Sequence, residues 1–300
     1  MKKIQKFNNY LNTSYMHKNE LHNVFGISIQ PVLEQFIPSL KYKDGALFIG
    51  AGKLQDIDLE YFGLFFKQLH LTDIDVDSMV DGVKNFDLHN NDIKLTRIEY
   101  TGYENSLFFD AFSDVVFQAR DIDKLEIKLK ELCKKTYGYR FLKDLPHTFN
   151  LIYVSPIYTQ LIFQQVLIEL SVLREQKVPE HILKAAEDIM LDEIPKIIAQ
   201  FNDNLILALH KDGLMVILSD IFEIDILSEF GKEVQKSLLN NTTDEIYHTY
   251  QQTYGYGLGD YGLYHMSQHL EELTHHWFLW PHSSQKHFLI KMIIYKNKEA

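Results

Sequence analysis

The sequence predicts an α/β protein: a mostly parallel sheet between two layers of helices, closing on an antiparallel strand pair. Three observations predict it. Short apolar runs at 46–50, 69–73, 149–154 and 213–218 alternate with helix-length amphipathic segments, the pattern of parallel strands joined by crossover helices. The first run ends in glycines and the second ends on an acid. The last two apolar runs, 277–281 and 287–295, are joined by a link far shorter than the dozen or so residues a parallel crossover needs, so they must reverse.

The elements follow in order. Residues 1–42 read as a separate helical segment with apolar positions at Tyr10, Leu11, Leu21, Val24, Phe25, Ile29, Val32, Leu33, Phe36 and Leu40, punctuated by Pro31 and Pro38. The domain proper, 43–300, opens with a strand at 46–50, a short helix near 58–68 and a strand at 69–73. A helix at 76–85 and an alternating strand at 93–98 come next. The aromatic, acidic stretch 102–121 fits either a helix or an ordered loop, whereas 121–137 is amphipathic and helical. Residues 149–154 form the strongest buried-strand pattern and stop at Ser155-Pro156. Helices at 158–175 and 180–210 lead to a strand at 213–218. A polar, tyrosine-rich helical insertion is expected at 223–275, with 253–262 as a loop because helices resist its glycine density.

Composition narrows the function. At 46% hydrophobic and 24% charged the chain is ordinary for a globular protein. No apolar run approaches the roughly 20 residues that span a bilayer, and polar Asn8 and Asn9 stand where a secretory signal needs apolar residues, so no membrane partner is expected. A net charge of −11 without a basic stripe disfavours nucleic acid, whose backbone is gripped by clustered cations. The one cysteine, Cys133, fits a reducing cytoplasm and the apolar face of a helix. Oligomeric state is open.

The candidate site sits at Gly50-Ala51-Gly52 and, twenty-one residues beyond, Asp73. Glycines let a strand-to-helix turn approach a ligand closely, and a carboxylate at the tip of the next strand suits a ribose diol. Ile74 and the Glu99–Tyr100 turn offer an apolar slot with one polar contact for a purine.

With 47–52, 72–75, Glu99-Tyr100-Thr101 and Asn150–Pro156 in that order, and a strand reversal at the end, the chain resembles the class I S-adenosylmethionine-dependent methyltransferases over 44–295. The resemblance implies their Rossmann-like fold, a three-layer sandwich on a seven-stranded sheet ending in an antiparallel strand. It implies S-adenosylmethionine as cofactor, bound by Gly50, Ala51, Gly52, Asp73, Ile74, Glu99, Tyr100 and Ser155, and a small-molecule methyl acceptor. Ser155-Pro156-Ile157-Tyr158 is similar to the signature of amino-group methyltransferases, with isoleucine for the second proline. Ser155 and Tyr158 then hold a nitrogen acceptor; the plain reading is a helix cap and a packed ring. Lys53, Leu54 and Gln55 stand where many members carry a third glycine.

Other readings compete. A sulfonium-dependent aminocarboxypropyl or aminopropyl transferase uses the same fold and is separated by its sulfur by-product. A nicotinamide-dependent oxidoreductase lacks support from the missing third glycine of GxGxxG. A binding module without turnover would keep Gly52 and Asp73 alone. The tyrosine-rich insertion is expected to cover the pocket or merely to pack, with Asp260 or His265 available as a base. Asp73, Asp75 and Asp77 fail as a calcium loop because Ser78 and Lys84 occupy the positions that need glycine and glutamate. His265 and His269 share a helix face, yet without an HExxH glutamate or nearby cysteine they read as surface or hydrogen-bonded histidines, and no metal is assigned.

Overall fold

The structure, a computed structural model, describes residues 3–6, 8, 19–54, 56–88, 91–283 and 285–298. Its centre is a seven-stranded sheet built from β1 (Gly45–Ile49), β2 (Gln68–Asp73), β3 (Asp92–Arg97), β4 (Phe149–Val154), β5 (Leu209–Asp225), β6 (Leu270–Pro281) and β7 (Lys286–Asn297) in the order β3-β2-β1-β4-β5-β7-β6. The first five run parallel, while β7 lies antiparallel between β5 and β6. This is the topology the resemblance implied.

Alternation along β4 shows why the sheet is a middle layer. Phe149, Ile152 and Val154 enter one core; Leu151 and Tyr153 enter the other. On the first face pack α4 (Phe108–Gln118), α5 (Ile122–Lys134), α6 (Phe163–Glu175) and α7 (Glu180–Ala208), through Phe112, Leu129, Val166 and Ile198. Buried Cys133 belongs to this core, as its helix-face position predicted. On the second face lie α1 (Asn19–Phe36), α2 (Leu59–Gly63) and α3 (Val76–Val83), through Leu33, Phe62 and Met79. Pro31 does not end α1, which runs through it to Phe36. No described helix is long and apolar enough to cross a membrane.

Between β5 and β6 stand α8 (Glu229–Asn240), α9 (Thr243–Tyr254) and α10 (Leu258–His269). The insertion is therefore shorter than 223–275, because both flanking strands are longer than their apolar runs. β5 continues to Asp225 by pairing with β7, and β6 begins at Leu270. The extra residues of β6 (Glu271, Glu272, His275, His276) are polar because they form an edge strand, where charge blocks unwanted pairing.

The expected loop at 253–262 is also corrected. Only Gly255 and Gly257 lie in the break between α9 and α10, and Gly259 and Gly262 are helical. Close packing overrides propensity here: a Cβ on Gly262 would overlap the Tyr158 ring, and one on Gly259 would collide with Ser219 and the Asp220 carbonyl oxygen.

Candidate active site

The parallel strands end at a cavity of about 610 Å³, of ligand size, beside the point where the chain order reverses between β1 and β4. Gly50, Ala51, Gly52, Asp73, Ile74, Glu99, Tyr100 and Ser155 all line it. Ile4 and Asn8 close one side, and the extended end of β5 with the β6–β7 hairpin (Phe222, Trp280, Phe288) closes another.

The glycine turn is held by its neighbours rather than by a continuing helix. Gly50 and Gly52 adopt φ of +71° and +46°, a left-handed geometry that disfavours side chains. Gly50 N donates to Tyr100 Oη at 3.0 Å, Ala51 N to the Thr72 carbonyl at 3.0 Å, and Gly52 N to Asp73 Oδ2 at 3.0 Å. Asp73 Oδ1 accepts from Asp75 N at 2.9 Å, and Asp75 caps α3 by accepting from Ser78 N. A carboxylate has about four acceptor positions, so Asp73 keeps capacity for further donors.

Tyr100 lines the cavity and also holds the turn. Its hydroxyl accepts from Gly50 N and donates to the Thr72 carbonyl at 2.8 Å, tying the turn to the end of β2. Tyr100→Phe should leave the half-buried Gly50 N–H and the Thr72 carbonyl without this partner and lower stability by about 1 kcal/mol, read from denaturant melts. An unchanged midpoint would remove the tie. Glu99 is likewise occupied: its carboxylate accepts from Thr101 N and Gly102 N, both at 2.7 Å, and from the Thr101 hydroxyl.

Two sequence-named residues lie elsewhere. Tyr158 is fully buried outside the cavity lining, with its hydroxyl donating to Asn202 Oδ1 at 3.0 Å and its ring against Gly262. It cannot stack on an acceptor there; its ring lies in a one-turn 3₁₀ segment, Tyr158–Gln160, and is held inward by Asn202 and Gly262. His265 sits on α10 opposite Asp203 and also misses the cavity. None of the insertion lines it either, and Asp260 is spent on the Tyr247 hydroxyl and Gly257 N.

Three acids of the lining escaped the sequence reading, of which Glu223 is paired with Lys286. Asp56 and Asp220 line the cavity. Burial, the largest cause in each, pushes Asp56, Asp73 and Asp220 up to about 6; hydrogen bonds from nearby backbone and hydroxyl groups oppose it. The Ser155 hydroxyl lies beside Asp56 and is otherwise unpartnered among the described residues. Asp220 Oδ2 accepts from Thr159 at 2.8 Å, while its Oδ1 is buried with no partner among the described residues. Asp220 was findable: it follows an apolar strand, as Asp73 does. Asp56, four residues past Gly52 and between Gln55 and Ile57, carried a weaker signal.

No protein-family model and no curated protein matches the chain. Similar solved structures include a SAM-dependent methyltransferase from Methanosarcina mazei, at 10% identity and a TM-score of 0.43 over 90% of this chain and 98% of that one. The N-methyltransferase NodS from Bradyrhizobium japonicum WM9 is similar at 12% identity and 0.39, covering 90% and 94%. The YcgJ protein from Bacillus subtilis is similar at 9% and 0.37, covering 90% and 100%. Likenesses this distant carry no part of the reading that follows.

Proposed function

We propose that this chain binds S-adenosylmethionine at the glycine turn and transfers its methyl group to a small-molecule acceptor. One observation carries the reading: three buried carboxyls, Asp56, Asp73 and Asp220, surround a single ligand-sized cavity at a tight glycine turn. Such clusters mark functional sites, because burying like charges together is costly without a ligand to offset it. A cationic ligand supplies that offset. A nicotinamide dinucleotide would bring pyrophosphate charge toward these acids, whereas the sulfonium and ammonium of S-adenosylmethionine suit them.

The residues divide the task. Gly50–Gly52 give close backbone approach, Asp73 offers spare acceptor positions to a ribose diol, and Asp56 with the Ser155 hydroxyl faces the cationic end. When bound, the cofactor supplies an already activated methyl group, so the chain has only to align two reactants and exclude water. Phe222, Trp280 and Phe288 supply apolar walls for the acceptor, and Asp220 Oδ1 stands ready to take its proton. With Tyr158 out of reach, the Ser155–Tyr158 motif no longer argues for nitrogen over oxygen as the methylated atom.

Isothermal titration with S-adenosylmethionine, S-adenosylhomocysteine and NADH tests the proposal. Saturable binding of the adenosyl ligands and none of NADH is expected; no adenosyl binding by folded protein overturns it. The pH dependence is a sharper check. A cationic ligand favours ionised carboxylates, so S-adenosylmethionine binding should lower their pKa values and release protons. Its affinity should rise as pH passes through 6 and level off above about 7. Near pH 5 it should fall about tenfold for each carboxylate that must ionise. A flat profile would remove the carboxylates from binding.

A further inference from the structure

A second polar cluster lies outside the cavity, where α10 packs on α7. Asp203 on α7 and His265 and His269 on α10 bring a carboxylate oxygen and two imidazole nitrogens within 4.8 Å of one another. The histidines stand one turn apart on a helix face, ring centroids 4.7 Å apart. His265 Nε2 is 3.8 Å from Asp203 Oδ1, beyond hydrogen-bond reach. Its Nδ1 is buried without a partner among the described residues.

Hydrogen bonding does not explain this arrangement. Three donors converge, yet none of the convergence is a hydrogen bond. Ligands about 2.0–2.1 Å from a tetrahedral ion stand roughly 3.4 Å apart, so the His265–Asp203 gap of 3.8 Å needs to close by less than about half an ångström. The other pairs, all within 4.8 Å, need to close by about 1.4 Å at most, within reach of rotation of the exposed Asp203 and His269 side chains. The backbone that sets the geometry is firmly placed. Asn202, next to Asp203, donates through Nδ2 to the Gly262 carbonyl at 2.9 Å and accepts from the Tyr158 hydroxyl at 3.0 Å. Gly262 lies nearly one turn before His265, so this lock fixes the register of α10 on α7 and with it the facing of the three side chains.

We propose that Asp203, His265 and His269 form a binding site for a divalent transition ion of the zinc class, with water completing its shell. Two imidazoles select against magnesium and calcium, which take oxygen ligands, and suit Zn²⁺ and its borderline-soft neighbours. The ion would tie the last helix of the insertion to the domain it packs on. Because α10 leads directly into β6, whose far end carries Trp280 at the cavity, the tie would also brace that wall.

The test is titration of the full chain, after chelator treatment, with zinc chloride alone, and with Co²⁺ as a visible-absorbing probe. One equivalent of Zn²⁺ should bind, Co²⁺ should develop ligand-field bands of a four- or five-coordinate site, and the melting temperature should rise with Zn²⁺. His269→Ala and Asp203→Asn, both at exposed positions that keep the fold, should each weaken binding more than about tenfold. His275→Ala should leave binding unchanged, since His275 is already engaged by Glu272 and Asp244. No saturable binding, or binding undiminished in His269→Ala and Asp203→Asn, overturns the proposal. So does binding lost in His275→Ala.

Discussion

Asp73→Asn is expected to abolish adenosyl-ligand binding while leaving stability near that of the parent at neutral pH. Two hydroxyl donors on a charged acceptor are worth about 1.5–3 kcal/mol each, and an amide supplies neither the charge nor both acceptor oxygens. A loss of about 3–5 kcal/mol corresponds to two to four orders of magnitude in dissociation constant. Stability should shift with pH. The carboxyl's pKa is about 6 in the folded chain, above its ordinary value, so its share of stability is present at low pH and lost as pH rises through 6. An uncharged amide removes that loss, but its NH2 faces one of the two backbone N–H groups that the carboxylate accepts, from Gly52 and Asp75, at a cost of about 1–3 kcal/mol. The variant is therefore less stable than the parent at about pH 4.5 and regains ground at about pH 8. Calorimetric titration at neutral pH, beside denaturant melts at about pH 4.5 and pH 8, reads both effects. Unchanged affinity in a folded variant sinks the role given to Asp73.

That outcome follows from a site whose frame was legible in the chain. Gly50, Gly52 and Asp73 were readable because their reasons are local: a backbone at positive φ, and a polar residue closing an apolar strand. The sheet was readable for the same kind of reason, since buried parallel strands leave uninterrupted apolar runs. What failed was decided by contacts between distant parts. Whether Tyr158 faces a ligand or the core depends on Asn202 and Gly262, and nothing within the motif shows it. The polar first half of β6 becomes a strand only because β7 pairs with it. The continuation of β5 past Asp220 is likewise fixed by β7, and it carries the aromatic wall of the cavity into place. Asp56 and Asp220 became candidates only when folding put them around one void with Asp73.

The same distant packing makes Gly262 a position of large structural consequence outside the site. Gly262→Ala should destabilise the protein by about 2–4 kcal/mol, although alanine is the better helix former by roughly 1 kcal/mol. A Cβ at Gly262 would lie within 2.5 Å of Tyr158 ring carbons. The ring cannot yield. It is fully buried, edge-on to Phe201 with centroids 5.9 Å apart, and its hydroxyl is tied to Asn202. The helix cannot yield cheaply either, because Asn202 Nδ2 holds the Gly262 carbonyl, and separating α10 from α7 strands both buried groups. Gly255→Ala serves as the comparison: nothing lies within 4 Å of its would-be Cβ, so only its backbone, at φ +79° and ψ −165° in a region that glycine alone enters readily, opposes the change, at about 1–3 kcal/mol. Tyr158→Phe combined with Gly262→Ala should recover little, since the overlap is with ring carbons rather than the hydroxyl. Tyr158→Leu combined with Gly262→Ala should recover more, by removing the ring. Urea melts of the five proteins would separate these cases, and a Gly262→Ala variant as stable as the parent would show that α10 shifts freely on α7.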